Sequence, residues 1–211
     1  MGGPHETLEH AEHAEHAGHS NKKIALVIAV LALGLAFSET LGKSAQTEGI
    51  GANVEAANLW AFFQAKTIRR TLVETAGREM TVSLKGTTDA AAKAEMEKQI
   101  ANWTSEAARY RSEPSTQEGS VELAARAKDA EKRRDTHLAR YHNYEFGSAA
   151  FQIGIVLASA AVITGMIALV WGAIGLGLVG LMFTGMGLFA PNAPHDALHW
   201  VEHLFKASGT H

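Results

Sequence analysis

Five histidines crowd the first 20 residues of this chain, His5, His10, His13, His16 and His19, interleaved with Glu9, Glu12 and Glu15. Residues three or four apart share one face of a helix, so neighbouring imidazoles and carboxylates, with His10, His13 and His16 at the centre, form a candidate site for Zn, Cu or Ni. No spacing here fixes a closed tetrahedral set, and a flexible, solvated polar tail over residues 1–21 is the plainer reading. Imidazole titrates near neutrality, so the charge of the tail responds to mild acid under either reading. At the other end, His195, His199 and His203 fall on one side of a helical projection with Asp196, Glu202 and Lys206. Leu198, Val201 and Phe205 take the other side, flanked by Trp200 and Leu204. That split over residues 191–211 predicts an amphipathic helix lying in a lipid headgroup layer, with a metal held by His199 and His203 as the sharper alternative.

Little else in the chain suggests chemistry. There is no Cys, so neither a disulfide framework nor thiolate catalysis can be proposed. No phosphate-binding loop or nucleophile elbow occurs, and the carboxylates fall on solvated helical faces. Basic residues in the middle of the chain are matched by acidic ones, which argues against nucleic acid as a partner. The expectation is a protein that is not an enzyme and has no cofactor beyond Zn or Cu at its histidine-rich ends.

The elements that carry these ends are set by a partition between oily and charged segments. Across 211 residues the net charge is −3, yet residues 146–190 contain no Asp, Glu, Lys, Arg or His, whereas residues 74–145 are mostly Ala, Glu, Lys and Arg. Such a contrast is what lipid and water produce in one chain. The uncharged stretch would make a helix of roughly 68 Å at 1.5 Å per residue, about twice a bilayer core, so it must turn back. A turn at Trp171-Gly172-Ala173 predicts spans over 146–170 and 174–190, with Trp171 at an interface. An earlier apolar run, Ile24 to Phe37, follows Lys22 and Lys23 and ends in Ala36-Phe37-Ser38, a pattern shared with secretory signals. Taken from Lys22 to Leu41 it reaches the roughly 20 residues a crossing needs, with lysine stems snorkelling at one end and Glu39 near the other, and a retained membrane helix is the expectation. The fold class is therefore all-α, an integral membrane protein with three transmembrane helices and a long, coiled-coil-like extramembrane helical hairpin over 42–145.

Small residues recur on one face of each span. They are Ala25, Ala29, Ala32 and Ala36 in the first; Gly147, Ala150, Gly154, Ala158, Ala161, Gly165 and Ala168 in the second; and Ala173, Gly177, Gly180, Thr184 and Gly187 in the third. Lipid gives helices no hydrophobic reason to associate, so close backbone approach through small residues is the main source of packing energy. These faces predict dense packing and a homo-oligomer, with Phe151, Ile155, Val162 and Leu169 turned to lipid or to another subunit.

Breakers at Gly49-Ile50-Gly51, at Lys85-Gly86-Thr87-Thr88 and at Pro114 divide the hairpin. Its first arm carries Val54, Ala57, Ala61, Gln64, Ile68 and Leu72 at helical spacing; its second carries Ala92, Met96, Ile100, Trp103, Ala107 and Tyr110. After Pro114, Ser115 with Glu118 forms a capping box for a last helix bearing Leu123, Ala127, Ala130, His137, Tyr141 and Tyr144 and running into the second span. These seams are thin in Leu and Ile, so the hairpin leans on neighbouring subunits or on a partner, with Trp60, Phe62, Phe63 and Trp103 as anchors; closing the hairpin's own core is the plainer role for those rings.

The run Asn58-Leu59-Trp60-Ala61-Phe62-Phe63-Gln64-Ala65-Lys66, after one span and a Glu-His-Ala repeat, resembles the signature of a bacterial membrane-protein family, domain of unknown function 4337. The resemblance covers nearly the whole chain and implies one span, a helical excursion and a closing hydrophobic pair, a bacterial inner-membrane location, and Asn58, Trp60, Phe63, Gln64 and Lys66 as the distinctive positions. It attaches no activity. The functional expectation is an accessory membrane protein that self-associates through its small-residue faces, presents the hairpin to a partner, and belongs to a larger membrane complex. Two alternatives stand beside it: an oligomeric pore, for which the spans offer Glu39, Gln152, Ser159, Thr164 and Thr184, and metal handling by the histidine ends. Orientation is open. The excursion carries Lys128, Lys132, Arg133, Arg134 and Arg140 near the membrane, but loops beyond about 60 residues escape the positive-inside rule.

Overall fold

The computed structural model describes residues 4–193, with side chains from residue 22 onwards. Among them the chain is wholly helical: α1 (Pro4–Gly86), α2 (Ala90–Arg111), α3 (Ser120–Thr164) and α4 (Ile167–Phe189). Three of these, α1, α3 and α4, include stretches long and apolar enough to cross a membrane. The chain divides into two compact units, Met1–Glu48 with Thr136–His211, and Gly49–Asp135. They are called here the outer-chain unit and the middle unit.

Local chemistry sets the ends of the helices. Gly49-Ile50-Gly51 does not interrupt α1. Each glycine costs roughly 1 kcal/mol of helix propensity, an amount that packing readily overrides. The helix ends instead at Gly86. Asp89 caps α2, its carboxylate accepting from the backbone N–H of Ala91 at 3.2 Å and of Ala92 at 3.4 Å. Pro114 lies in the next break, but α3 begins at Ser120, beyond the expected Ser115–Glu118 box. Glu122 holds this connection from inside the helix, accepting from the Ser112 hydroxyl at 2.5 Å and the Glu113 N–H at 3.2 Å. The Ser112 hydrogen bond, with those backbone donors, draws the Glu122 carboxyl below its ordinary pKa.

The uncharged stretch turns at Gly165–Met166, not at Trp171-Gly172-Ala173. Gly165 has φ +68°, the left-handed conformation that a side chain disfavours, and so supplies the reversal in a two-residue connection. Thr164 secures it, donating to the Ala160 carbonyl at 2.9 Å and accepting from the Met166 N–H at 3.4 Å. Residues 146–164 and 167–189 then rise by roughly 28 and 34 Å, either side of a bilayer core of about 30 Å.

In the outer-chain unit α1 turns Ile24, Leu31, Ser38, Gly42 and Ala45 inward. Its alanine face, Ala25, Ala29, Ala32 and Ala36, is exposed at every position. Ile24, Leu31, Phe151, Ala158, Ala161 and Ala173 form the core there. In the middle unit α1 buries Ala52, Ala56, Leu59 and Lys66, while the expected seam of Val54, Ala57, Ala61, Gln64, Ile68 and Leu72 is exposed throughout. Both sets have helical spacing. The inward set is the one whose Leu59, with Trp60 and Phe63 beside it, meets Leu123, Ala127 and Ala130 of α3. From α2, Ala107 is buried and Ala92, Met96, Ile100, Trp103 and Tyr110 are half-buried.

Candidate functional site

The most sharply built region of the outer-chain unit is a row of side chains seated in glycine notches. Phe151 of α3 is 2% exposed. A Cβ placed on Gly34 of α1 would lie 2.8 Å from its ring, and one on Gly180 of α4 would lie 2.9 Å away, so one ring wedges into both helices. Phe151 thus packs within the chain, not toward lipid or another subunit as its face of the span predicts. Leu31 enters the next notch, where a Cβ on Gly177 would come within 2.6 Å of it and one on Gly154 within 3.3 Å. Tyr144 lies against Gly187, at 2.6 Å from such a Cβ. Burial pushes the Tyr144 phenol above its ordinary pKa, against the nearby Arg140 charge.

Most of the small residues expected to pack in α3 and α4 are buried, among them Gly147, Gly154, Ala158, Ala161, Gly177, Gly180 and Gly187. Gly165 and Ala168 are exceptions: both are exposed, and Gly165 makes the turn, with nothing within 4 Å of where its Cβ would be. Gly147 faces hydroxyls, a Cβ there falling 2.7 Å from Thr184 Oγ1 and 3.0 Å from Ser38 Oγ. Ser38, fully buried, donates to the Tyr144 carbonyl at 2.8 Å and pairs with the Thr184 hydroxyl at 3.2 Å. One serine so joins all three helices through hydrogen bonds that have no competing water in an apolar setting.

The middle unit is held differently. Trp60 Nε1 donates to Glu131 Oε1 at 2.8 Å, and its ring meets Phe63 edge-on at 5.4 Å. Lys66 is 8% exposed; its ammonium lies 3.7 Å from Glu118 and within 5.3 and 5.6 Å of the Phe62 and Tyr110 ring centroids. Tyr110 donates to Glu106 at 2.6 Å, and that bond raises the phenol's pKa. Trp103 lines an open groove of about 490 Å³ between α1 and α2, beside Gly77 and Arg78. Of the signature string, Trp60, Phe63 and Lys66 face inward and Asn58 and Gln64 outward. Tyr110 lies on the face that periodicity predicts and Glu118 in the expected capping box, but their pairing with Lys66, like that of Glu131 with Trp60 71 positions away, carries no local signal.

His10, His13, His16, His199 and His203 lie outside the residues whose side chains the structure describes. Among the described residues no group of three or more His, Asp or Glu side chains is placed to hold a metal. A family model described as a domain of unknown function (DUF4337) matches residues 20–190. No curated protein and no solved structure matches the chain.

Proposed function

The chain belongs to the DUF4337 family, and we propose that it is a non-enzymatic accessory protein of the bacterial inner membrane, crossing it three times. In this reading it self-associates through the exposed alanine face of α1 and offers its middle unit to a partner in a larger membrane complex. One contrast carries the proposal. Gly147, Gly154, Ala158, Ala161, Gly177, Gly180 and Gly187 of α3 and α4 are buried within the chain, whereas Ala25, Ala29, Ala32 and Ala36 of α1 are exposed at every position. A helix face of four small residues in lipid offers a second copy close backbone approach. For the partner, α1 of the middle unit exposes Val54, Ile68 and Leu72 at 52, 62 and 64%.

The test is size, measured by light scattering in mild detergent. The parent protein is expected to be a discrete oligomer, and Ala29→Leu with Ala32→Leu a monomer of unchanged helicity. A parent that is monomeric, or an oligomer indifferent to both leucines, ends the proposal.

A further inference from the structure

In the outer-chain unit α1 and α3 leave an open groove of about 550 Å³ beside Ser38. Glu39 and Lys43 line it from α1, and Tyr141, Glu145, Ser148 and Gln152 from α3. Its depth is informative: the lining passes from Glu145 into a sequence that has no charge from residue 146 to 190, so the groove straddles the level at which the chain changes from polar to apolar. Bilayer headgroups occupy that level.

Ser148 supplies the second observation. It is 9% exposed and lines the groove. Ser159, Thr164 and Thr184 each donate to the carbonyl four residues earlier, at 2.8 to 2.9 Å. The equivalent carbonyl for Ser148 is that of Tyr144, already taken by Ser38 Oγ at 2.8 Å. Ser148 is left with no hydrogen-bond partner among the described residues, and its hydroxyl opens into the groove, where a ligand can meet it.

The charges around it are mixed. Glu39 accepts from Gln152 at 3.3 Å, and Glu145 lies 3.7 Å from His142. Lys43 has no ion-pair partner among the described residues. A lone phosphate entering here would face two carboxylates, and a lone cation would face Lys43. A group carrying both charges a few ångströms apart satisfies both. We propose that this groove binds the headgroup of a zwitterionic phospholipid. Lys43 and the Ser148 hydroxyl take the phosphate; Glu39, Glu145 and the face of Tyr141 take the ammonium. Val156, one helical turn deeper than Gln152 and 65% exposed, offers apolar surface to an acyl chain.

Native mass spectrometry of the full chain, stripped of lipid and titrated with phosphatidylethanolamine, phosphatidylcholine, phosphatidylglycerol or Ca²⁺, tests this. One zwitterionic lipid per chain is expected, with phosphatidylglycerol weaker by about tenfold from its missing ammonium. Lys43→Gln is expected to weaken phosphatidylethanolamine about tenfold and Ser148→Ala roughly threefold, while Lys23→Gln, outside the groove, changes nothing. Ser148→Ala removes a hydroxyl that has no bond within the chain, so its melting temperature without lipid should equal or exceed the parent's and its rise on adding lipid should shrink. Tighter phosphatidylglycerol, displacement of lipid by Ca²⁺, or equal retention by parent and groove variants would each overturn the proposal. None of these readings depends on whether the alanine face of α1 self-associates.

Discussion

Phe151 and Trp60 are both inward-facing aromatic anchors, one in each unit, and they are held by opposite means. Phe151 is held by shape, a ring pressed between Gly34 and Gly180 with no polar contact. Trp60 is held by chemistry, its indole N–H on Glu131 and its ring edge-on to Phe63. The surfaces differ in the same way. Around the first, α1 exposes Leu26, Val30, Leu33 and Phe37 at 59 to 66%; around the second, Arg133 reaches Glu55 at 2.6 Å and Asp129 at 3.3 Å. Where the surroundings are as apolar as the core, hydrophobicity cannot decide which side of a helix faces in, and steric fit must. Where water surrounds the helices, burial decides, and each buried polar atom must bring its partner.

The largest expected effect tests the first half of that contrast. Phe151→Ala empties two notches at once and is expected to cost about 3–5 kcal/mol of unfolding free energy, the range for truncating a buried phenylalanine. Ile163→Ala, at a residue 87% exposed, should stay within about 0.5 kcal/mol. Denaturant titration in detergent micelles reads both. A loss at Phe151 as small as that at Ile163 would mean that the ring is no wedge, and the distinction between the units would fail.

A smaller effect sharpens the second half. Trp60→Phe keeps most of the aromatic body but strips Glu131 of its donor, for an expected loss of about 1–2 kcal/mol. Because the two groups act as a pair, combining Trp60→Phe with Glu131→Ala should cost less than the sum of the single changes. Strict additivity would show that the hydrogen bond contributes nothing and that the indole, like Phe151, is held by shape alone.

Helical class, three stretches apolar enough to cross a membrane, and the breaks near Gly86 and Pro114 were legible because they depend on composition and on residues close in sequence. Facing was not. On α1 the exposed series Ala25, Ala29, Ala32, Ala36 has the same helical spacing as any buried face, and periodicity alone cannot rank two sides of one helix. Phe151 reads as facing lipid or another subunit because its sockets, Gly34 and Gly180, lie on other helices and are remote in sequence. Gly165 continues the small-residue period of α3 so regularly that it reads as a packing residue; only its backbone, at φ +68°, marks it as the turn. The groove at Ser148 depends on a carbonyl claimed by Ser38, 106 positions from Tyr144, which no local pattern encodes.

The smallest expected effect is also the one most opposed to periodicity. Ile68 and Leu72 have the spacing of a buried arm, and if they lined a core, polar replacement would cost several kcal/mol, as truncation of buried Ile and Leu does. They are instead 62 and 64% exposed, on the far side of α1 from Leu59 and Phe63. Ile68→Gln with Leu72→Gln is therefore expected to leave the unfolding free energy within about 0.5 kcal/mol of the parent, since surface changes remove no packed contact. The same pair should weaken capture of whatever covers this face, separating a docking role from a structural one. Destabilisation beyond about 2 kcal/mol would place both side chains in a core and return the seam to the face that periodicity favours.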